Sequence, residues 1–250
     1  MYATSDFEYS TCILEEIDST NAYAQRIVDK VRDPLWIMAR RQTAAKGRRG
    51  RAWRNPDGNF AASLIFFPNQ SPEKMALRSF VAALAVFEAC VMVTGREEIF
   101  SIKWPNDVMA RECKVSGILL ETCQNAKGQT ALLVGIGVNL MQAPKLEHLE
   151  AQALKPTSLF SETGLQVKQD DFLDALADCF AKYESQFITH GFGPVQTAWL
   201  QHAARLGQTI TARLSDESLT GRFDTIDENG HLVMTTVNGS RKISSADVFF

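Results

Sequence analysis

Paired cysteines, clustered histidines and surplus positive charge are all missing from this chain. Its five cysteines (Cys12, Cys90, Cys113, Cys123, Cys179) are odd in number and never stand as C-x-x-C, and its four histidines (His148, His190, His202, His231) are scattered. That pattern excludes a zinc signature and a disulfide framework, and leaves reduced thiols in the cytoplasm as the plain reading. The opening MYATSDFEYS has no apolar core of a signal peptide, and no apolar run is long enough to cross a bilayer, so no membrane is expected. With a net charge of -3, the broad positive surface needed for bulk nucleic-acid binding is absent too. Neither an internal repeat nor a low-complexity tract is found. What remains, 45% apolar and 22% charged over 250 residues, suits one large domain, alone or with a small one.

Against this background one stretch stands out, Gln42 to Trp53. Lys46, Arg48, Arg49 and Arg51 fall within six residues, with Arg40, Arg41 and Arg54 flanking them. Gly47 and Gly50 interrupt any regular element, which predicts a mobile cationic loop. Like charges this dense need screening by water or the arrival of an anion. Arginine's planar paired donors suit phosphate and carboxylate oxygens. From the loop alone, a phosphate site and a solvated or nucleic-acid-binding basic patch stay equally open.

Elsewhere the pattern alternates strands and helices. Strands are predicted at Cys12–Ile17, Leu35–Ala39, Phe60–Phe67, Ile99–Trp104, Val115–Thr122 and Ala131–Leu140. Asp18-Ser19-Thr20-Asn21 offers several helix caps before Tyr23, Ile27, Val28 and Val31. Ser71-Pro72 opens a core helix whose face carries Leu77, Phe80, Val81, Leu84, Phe87, Glu88 and Val91, and Gly95 closes it. Asn106 and Asp107 follow Pro105 at a strand end, Lys114 stands at the entry to the next strand, and Asn139 lies near the end of another. Residues 141–158 read as a second loop over these strand ends. A helix starts at Asp170 or Asp171, a second surrounds Trp199 and Leu200, and from Gly207 short strands and turns predict a small five-stranded barrel.

In that order, Asp18-Ser19-Thr20-Asn21, the Gln42–Trp53 loop, Lys103-Trp104-Pro105-Asn106-Asp107, Lys114 through Leu119 and Gly135-Ile136-Gly137-Val138-Asn139 resemble the motifs of biotin protein ligases. The resemblance covers nearly the whole chain. It implies an α/β (α+β) fold: a mixed-sheet catalytic domain over residues 1–204 with helices mainly on one face, then a small SH3-like β-barrel over 205–250. Because the first motif begins at Asp18, it also implies the monofunctional type, without a DNA-binding domain. Two departures stand in the loop, where the family's Gly-Arg-Gly-Arg-Arg-Gly has Ala45 and Lys46 in its first two places. Ala61 falls near a position where the family often has tyrosine.

The implied chemistry is ATP-dependent formation of biotinyl-AMP, followed by transfer of biotin to a lysine of a biotin carboxyl carrier domain. Ser19, Thr20 and Gln42 would meet the ureido ring, and Trp53, Gly117 and Leu119 would line its pocket. Lys114 would bridge carboxylate and α-phosphate, and Arg48, with Arg51, would hold the phosphate. Asn106 would help hold Mg2+, Asp107 would orient or deprotonate the incoming amine, and Asn139 would contact adenine. Each has a bland counterpart: Ser19 and Thr20 as helix caps, Lys114 as a surface lysine, Gly117 as a strand irregularity, Asn106 and Asp107 as a polar turn. Lipoate transfer, a nucleic-acid-binding module and a non-catalytic relic are the rival functions. Edge strands on an open sheet suggest a homodimer.

Overall fold

Apolar alternation along the strands builds one two-faced sheet. In the computed structural model, which describes residues 7–144, 154–214 and 216–250, its strands are β1 (Ser10–Ile17), β2 (Leu35–Gln42), β3 (Phe60–Phe66), β4 (Phe100–Lys103), β5 (Asp107–Ala110), β6 (Cys113–Gln124) and β7 (Thr130–Val138). They lie in the order β1-β2-β3-β7-β6-β5-β4, with β1 parallel to β2 and every other pair antiparallel. Trp36, Met38, Leu64, Leu132 and Val134 point to one face and join Leu84, Phe172, Leu176 and Phe180 in the main core. Ile37, Ile65, Ala131 and Leu133 point the other way, onto Ala24, Val28 and Val31. Strand period two makes the division.

The main face carries α3 (Arg78–Thr94), α5 (Gln169–His190) and α6 (Phe192–Gln201); the other carries α1 (Thr20–Arg26). Ser71 caps the short α2 (Pro72–Ala76) by accepting from Lys74 N, and α3 ends at Gly95 with φ +68°, as the sequence predicts. Contrary to the expectation from unbroken apolar runs, Pro72–Thr94 is long and apolar enough to cross a bilayer. Its apolar side chains are spent on the core instead: Val81, Leu84 and Val86 are fully buried.

The C-terminal part is a five-stranded antiparallel sheet of β8 (Thr209–Arg213), β9 (Ser218–Ile226), β10 (Leu232–Thr236), β11 (Gly239–Ile243) and β12 (Asp247–Phe249), in the order β11-β10-β9-β8-β12. Too small to bury much by itself, it shares its core with the main domain. Phe223, Leu232, Met234 and Val248 belong to the same cluster as the α3 and α5 side chains, Phe223 packs on Trp199 at 6.5 Å, and Trp104 Nε1 donates to Gly230 O at 3.0 Å. A Cβ on Gly230, whose φ is +75°, would sit 2.5 Å from the Phe80 ring, so glycine permits the close dock.

Several predicted details shift. Asp107 does not trail a strand but opens β5, the return arm of a hairpin with β4 (Lys103↔Asp107). Helix α5 begins at Gln169, and Asp170, rather than capping it, takes a paired bond from Arg40 at 2.8 and 2.9 Å. The short α4 (Leu159–Thr163), capped by Ser158, was not foreseen. Of the expected second loop, residues 145–153 lie outside the described residues. Its trailing end is pinned, since Lys114 N donates to Lys155 O and Thr157 N to Lys114 O.

One buried ion pair ties the helical layer together. Arg78 donates to Glu184 at 2.7 Å, with 1% and 0% of the two side chains exposed, and its guanidinium lies 4.8 Å from the Phe187 ring. Burial works to push the Glu184 carboxyl up, and Arg78 opposes it. Glu184→Gln should cost about 3 kcal/mol in urea-unfolding free energy, because it strands a buried guanidinium, whereas Arg78→Met with Glu184→Leu should recover most of it. A single mutant as stable as the parent would show that the pair carries no such cost.

Candidate functional site

On the α1 face the middle of the sheet is stripped of side chains. Gly117 of β6 pairs with Gly137 of β7, which pairs in turn with Ala61 of β3. Glycine inside strands weakens them and marks close approach. Here the approaching group is the Trp53 indole. A Cβ on Gly137 would lie 2.4 Å from its ring nitrogen, and one on Gly117 would lie 2.9 Å from its outer edge. One register step along, a Cβ on Gly135 would lie 2.6 Å from Asn21 Oδ1. The indole therefore lies against bare backbone.

Beside this trough runs a polar chain. Gln42 Oε1 accepts from Thr20 N at 2.7 Å and from Thr20 Oγ1 at 3.1 Å. Ser63, fully buried, places its Oγ 2.7 Å from Thr20 Oγ1 and 2.5 Å from Asn21 Oδ1, and Asn21 Nδ2 donates to Glu121 at 2.7 Å. With Oε1 occupied twice over, Gln42 turns its amide donors away from Thr20. Ser19 caps α1 by accepting from Ala22 N, so the capping reading holds for Ser19 while Thr20 is bound to Gln42.

The cationic loop is folded over the trough as a small hairpin. Lys46 bridges Ala52, Gly47 N donates to Arg51 O and Trp53 N to Ala45 O. A tight turn at Arg48–Gly50 puts Arg49 at φ +57°, a left-handed conformation costly for a residue with a Cβ. Arg48 Nη1 reaches Asn106 Oδ1 at 3.4 Å, whereas Arg49 and Arg51 reach Asp247 of β12 at 2.6 and 3.3 Å. Lys114 Nζ pairs with Asp107 at 2.8 Å and lies 5.7 Å from the Trp53 ring. Together these groups enclose a cavity of about 400 Å³, with Lys103 buried in its wall. Burial pulls the Lys103 ammonium below its usual range, Asp107 opposing. Burial works against the Asp247 charge, but Arg49, Arg51 and Arg48 outweigh it and hold that carboxyl below the usual range.

Residues 13–139 match the model of the biotin/lipoate A/B protein ligase family, and 206–250 that of the biotin protein ligase C-terminal domain. A biotin–[acetyl-CoA-carboxylase] ligase of Paracoccus denitrificans is 43% identical over 95% of this chain and 99% of its own. The chain belongs to the biotin protein ligase family. A bifunctional ligase/repressor of Bacillus subtilis is 32% identical over 85% of this chain and 65% of its own length. The biotin protein ligase of Aquifex aeolicus, solved in complex with biotin and ATP, superimposes with a TM-score of 0.82 at 27% identity, over 96% of this chain and 98% of that one.

Every residue to which the ligase resemblance gives a role lines the cavity except Asn106: Ser19, Thr20, Gln42, Arg48, Arg51, Trp53, Asp107, Lys114, Gly117, Leu119 and Asn139. Asn106 is buried behind it, donating to Ile118 O at 2.9 Å while its Oδ1 faces Arg48. Asn139 spends its amide donor on Thr157 O at 2.9 Å, holding the chain that enters α4. These arrangements suit a resident Mg2+ poorly. The Asn106 acceptor meets a guanidinium, Asp107 meets Lys114, and no three His, Cys, Asp or Glu side chains converge among the described residues.

Sequence reasoning gave no role to Ser63, Lys103, Glu121 or Asp247. Ser63 carried a signal, as the one hydroxyl in Phe60–Phe66, and so did Lys103, a lone charge within a strand. Asp247 carried none, for its partners lie almost two hundred residues away. Gly137→Ala should lift Trp53 off the sheet and speed tryptic cleavage within residues 46–54, whereas Gly193→Ala, where a Cβ meets nothing within 4 Å, should not. Equal cleavage rates in both would mean that the indole is not seated as described.

Proposed function

We propose that this chain is an ATP-dependent biotin protein ligase working at this cavity, within a catalytic domain (1–204) completed by a small C-terminal domain (205–250). The observation that carries the reading is the meeting of two kinds of chemistry in one space. Neutral donors and acceptors at Thr20 and Gln42 sit over an apolar floor of Trp53 and backbone, and the cations Lys114, Arg48 and Arg51 sit beside them. The first kind suits a ureido ring, and the second suits a carboxylate meeting a phosphate. A lipoyl chain would leave the Thr20–Gln42 set without a task, and the C-terminal match also favours biotin.

In the first half-reaction a biotin carboxylate oxygen attacks the α-phosphorus of ATP. A P–O bond forms, the bond to pyrophosphate breaks, and biotinyl-AMP results. Two anions must approach, and preorganised cations lower that barrier. Lys114 is placed to bridge carboxylate and α-phosphate, giving up its ion pair with Asp107. Arg48 and Arg51 hold phosphate oxygens. Asp107, freed of Lys114, is then available to orient the carrier lysine and take its proton as the amine attacks the acyl carbon and AMP leaves. Asn139, through Thr157, steadies the segment beside the adenosine end. Mg2+ enters on the phosphates of ATP, as part of the substrate.

The acceptor is the biotin carboxyl carrier domain of a carboxylase, and the five free thiols fit a cytoplasmic enzyme. Incubation with biotin, ATP and Mg2+ should yield biotinyl-AMP by mass spectrometry. Lys114→Ala should slow biotin-dependent pyrophosphate release roughly a hundred- to a thousandfold, the usual scale for losing one preorganised charge. Full activity in that variant would remove Lys114 from the chemistry.

A further inference from the structure

Arg48 and Arg49 are neighbours that point in different directions. Arg48 turns to Asn106 of the main domain, while Arg49 turns to Asp247 of the C-terminal domain, across a backbone held at φ +57°. Arg49 and Gly50, at φ +57° and +73°, are the two left-handed central residues of a hairpin turn that Arg51 N closes by donating to Arg48 O at 3.3 Å. That bond, with Gly47 N to Arg51 O and Trp53 N to Ala45 O, closes the hairpin without fixing where each arginine side chain goes. Arg49 is held by a carboxylate on another domain. Asp247 is held in turn by β12 pairing with β8, where it lies opposite Arg213. It is also one of only two acidic side chains, beside eight basic ones, among the described residues lining the cavity. The other, Asp107, is already paired with Lys114.

We propose that Asp247 is a positioning residue for adenylation: by clamping Arg49 it fixes the loop hairpin against the C-terminal domain and keeps Arg48 directed at the phosphate site. The C-terminal domain thereby contributes, through Arg49, to the binding of ATP and to the retention of the acyl-adenylate. This rests on the ligase reading given above. The opposite role, Asp247 as a competitor that must be expelled by phosphate, predicts the reverse effect on ATP.

The test uses the full chain, and biotinyl-AMP formation by the parent protein is measured first; its failure would sink the ligase reading itself. Given that activity, Asp247→Asn should raise KM for ATP roughly fivefold, the scale of one partly exposed ion pair, with kcat at saturating ATP nearly unchanged. Release of bound biotinyl-AMP should quicken by a similar factor, and the melting temperature should stay put. Asp247→Glu should restore most of the parent behaviour. Arg49→Gln, at a half-exposed side chain, should reproduce the shift, and the double variant should be no worse than either single one, because the two residues act as a unit. Should Asp247→Asn fold poorly, Arg49→Gln alone decides the matter. Parental or tighter ATP binding, an equal fall in kcat, or additive effects in the double variant would overturn the clamp.

Discussion

Eight basic side chains converge on one cavity, where their mutual repulsion is limited by separation and by the carboxylates that answer some of them. Two like charges 4 Å apart cost about 4 kcal/mol at the effective dielectric near a protein surface. Crowding of that kind would unfold a hairpin with so few bonds of its own. Asp107 and Asp247 relieve it from opposite sides, one at Lys114 and one at Arg49 and Arg51. The remaining imbalance is the binding energy in waiting. A nucleotide bringing several negative charges meets cations already gathered, so little reorganisation is left to do when phosphate charge shifts during reaction.

Gathering them requires something rigid, and the sheet supplies it. Its main face is filled by α3, α5 and α6 and locked by Arg78–Glu184, which leaves the other face free to depart from good strand composition. Gly117, Gly135 and Gly137 would weaken an isolated sheet, yet here each removes a Cβ where another group must lie. The flat indole of Trp53 covers the gap and anchors the loop's C-terminal end, while Thr43 and Ala44, hydrogen-bonded to Ile17 and Asp18, anchor its start. Between fixed ends, the arginines have few ways to be arranged.

Much of this could be read from residues alone, because it follows local rules. Ser71-Pro72 and Gly95 bound their helical segment by capping chemistry, and the buried runs at Leu35–Ala39 and Phe60–Phe67 fell where strands formed. The binding residues were readable through spacing shared with a family, since the motifs keep their order whatever lies between them. The rest depended on tertiary partners. Asp170 or Asp171 reads as the start of a helix, but the helix opens at Gln169 and Arg40 claims the Asp170 carboxylate from a distant strand. The strand β5, Asp107–Ala110, was too short to announce itself and is flanked by β4 and β6. Ser63 reads as a minor blemish in an apolar strand until Thr20 and Asn21 arrive over it. No local pattern could assign Asp247 to Arg49.

The small C-terminal sheet shows how docking and chemistry are divided between apolar and polar edges. Its attachment is made by Phe223 on Trp199, by Gly230 under Phe80 and by Trp104 donating to Gly230. Had the domain served only to cover that apolar surface, β12 could end in any soluble sequence. Instead Ala246, Asp247, Val248 and Phe249 reach the cavity, and Lys103 Nζ lies 5.9 and 5.3 Å from the Phe249 and Phe250 rings. Those rings stabilise a buried ammonium by cation–π attraction while excluding the water that would otherwise screen it. An interface held by apolar contacts is insensitive to the charge that comes and goes beside it. The domain can therefore stay seated while Asp247, on the polar edge of β12, answers Arg49 and Arg51 of the cationic loop.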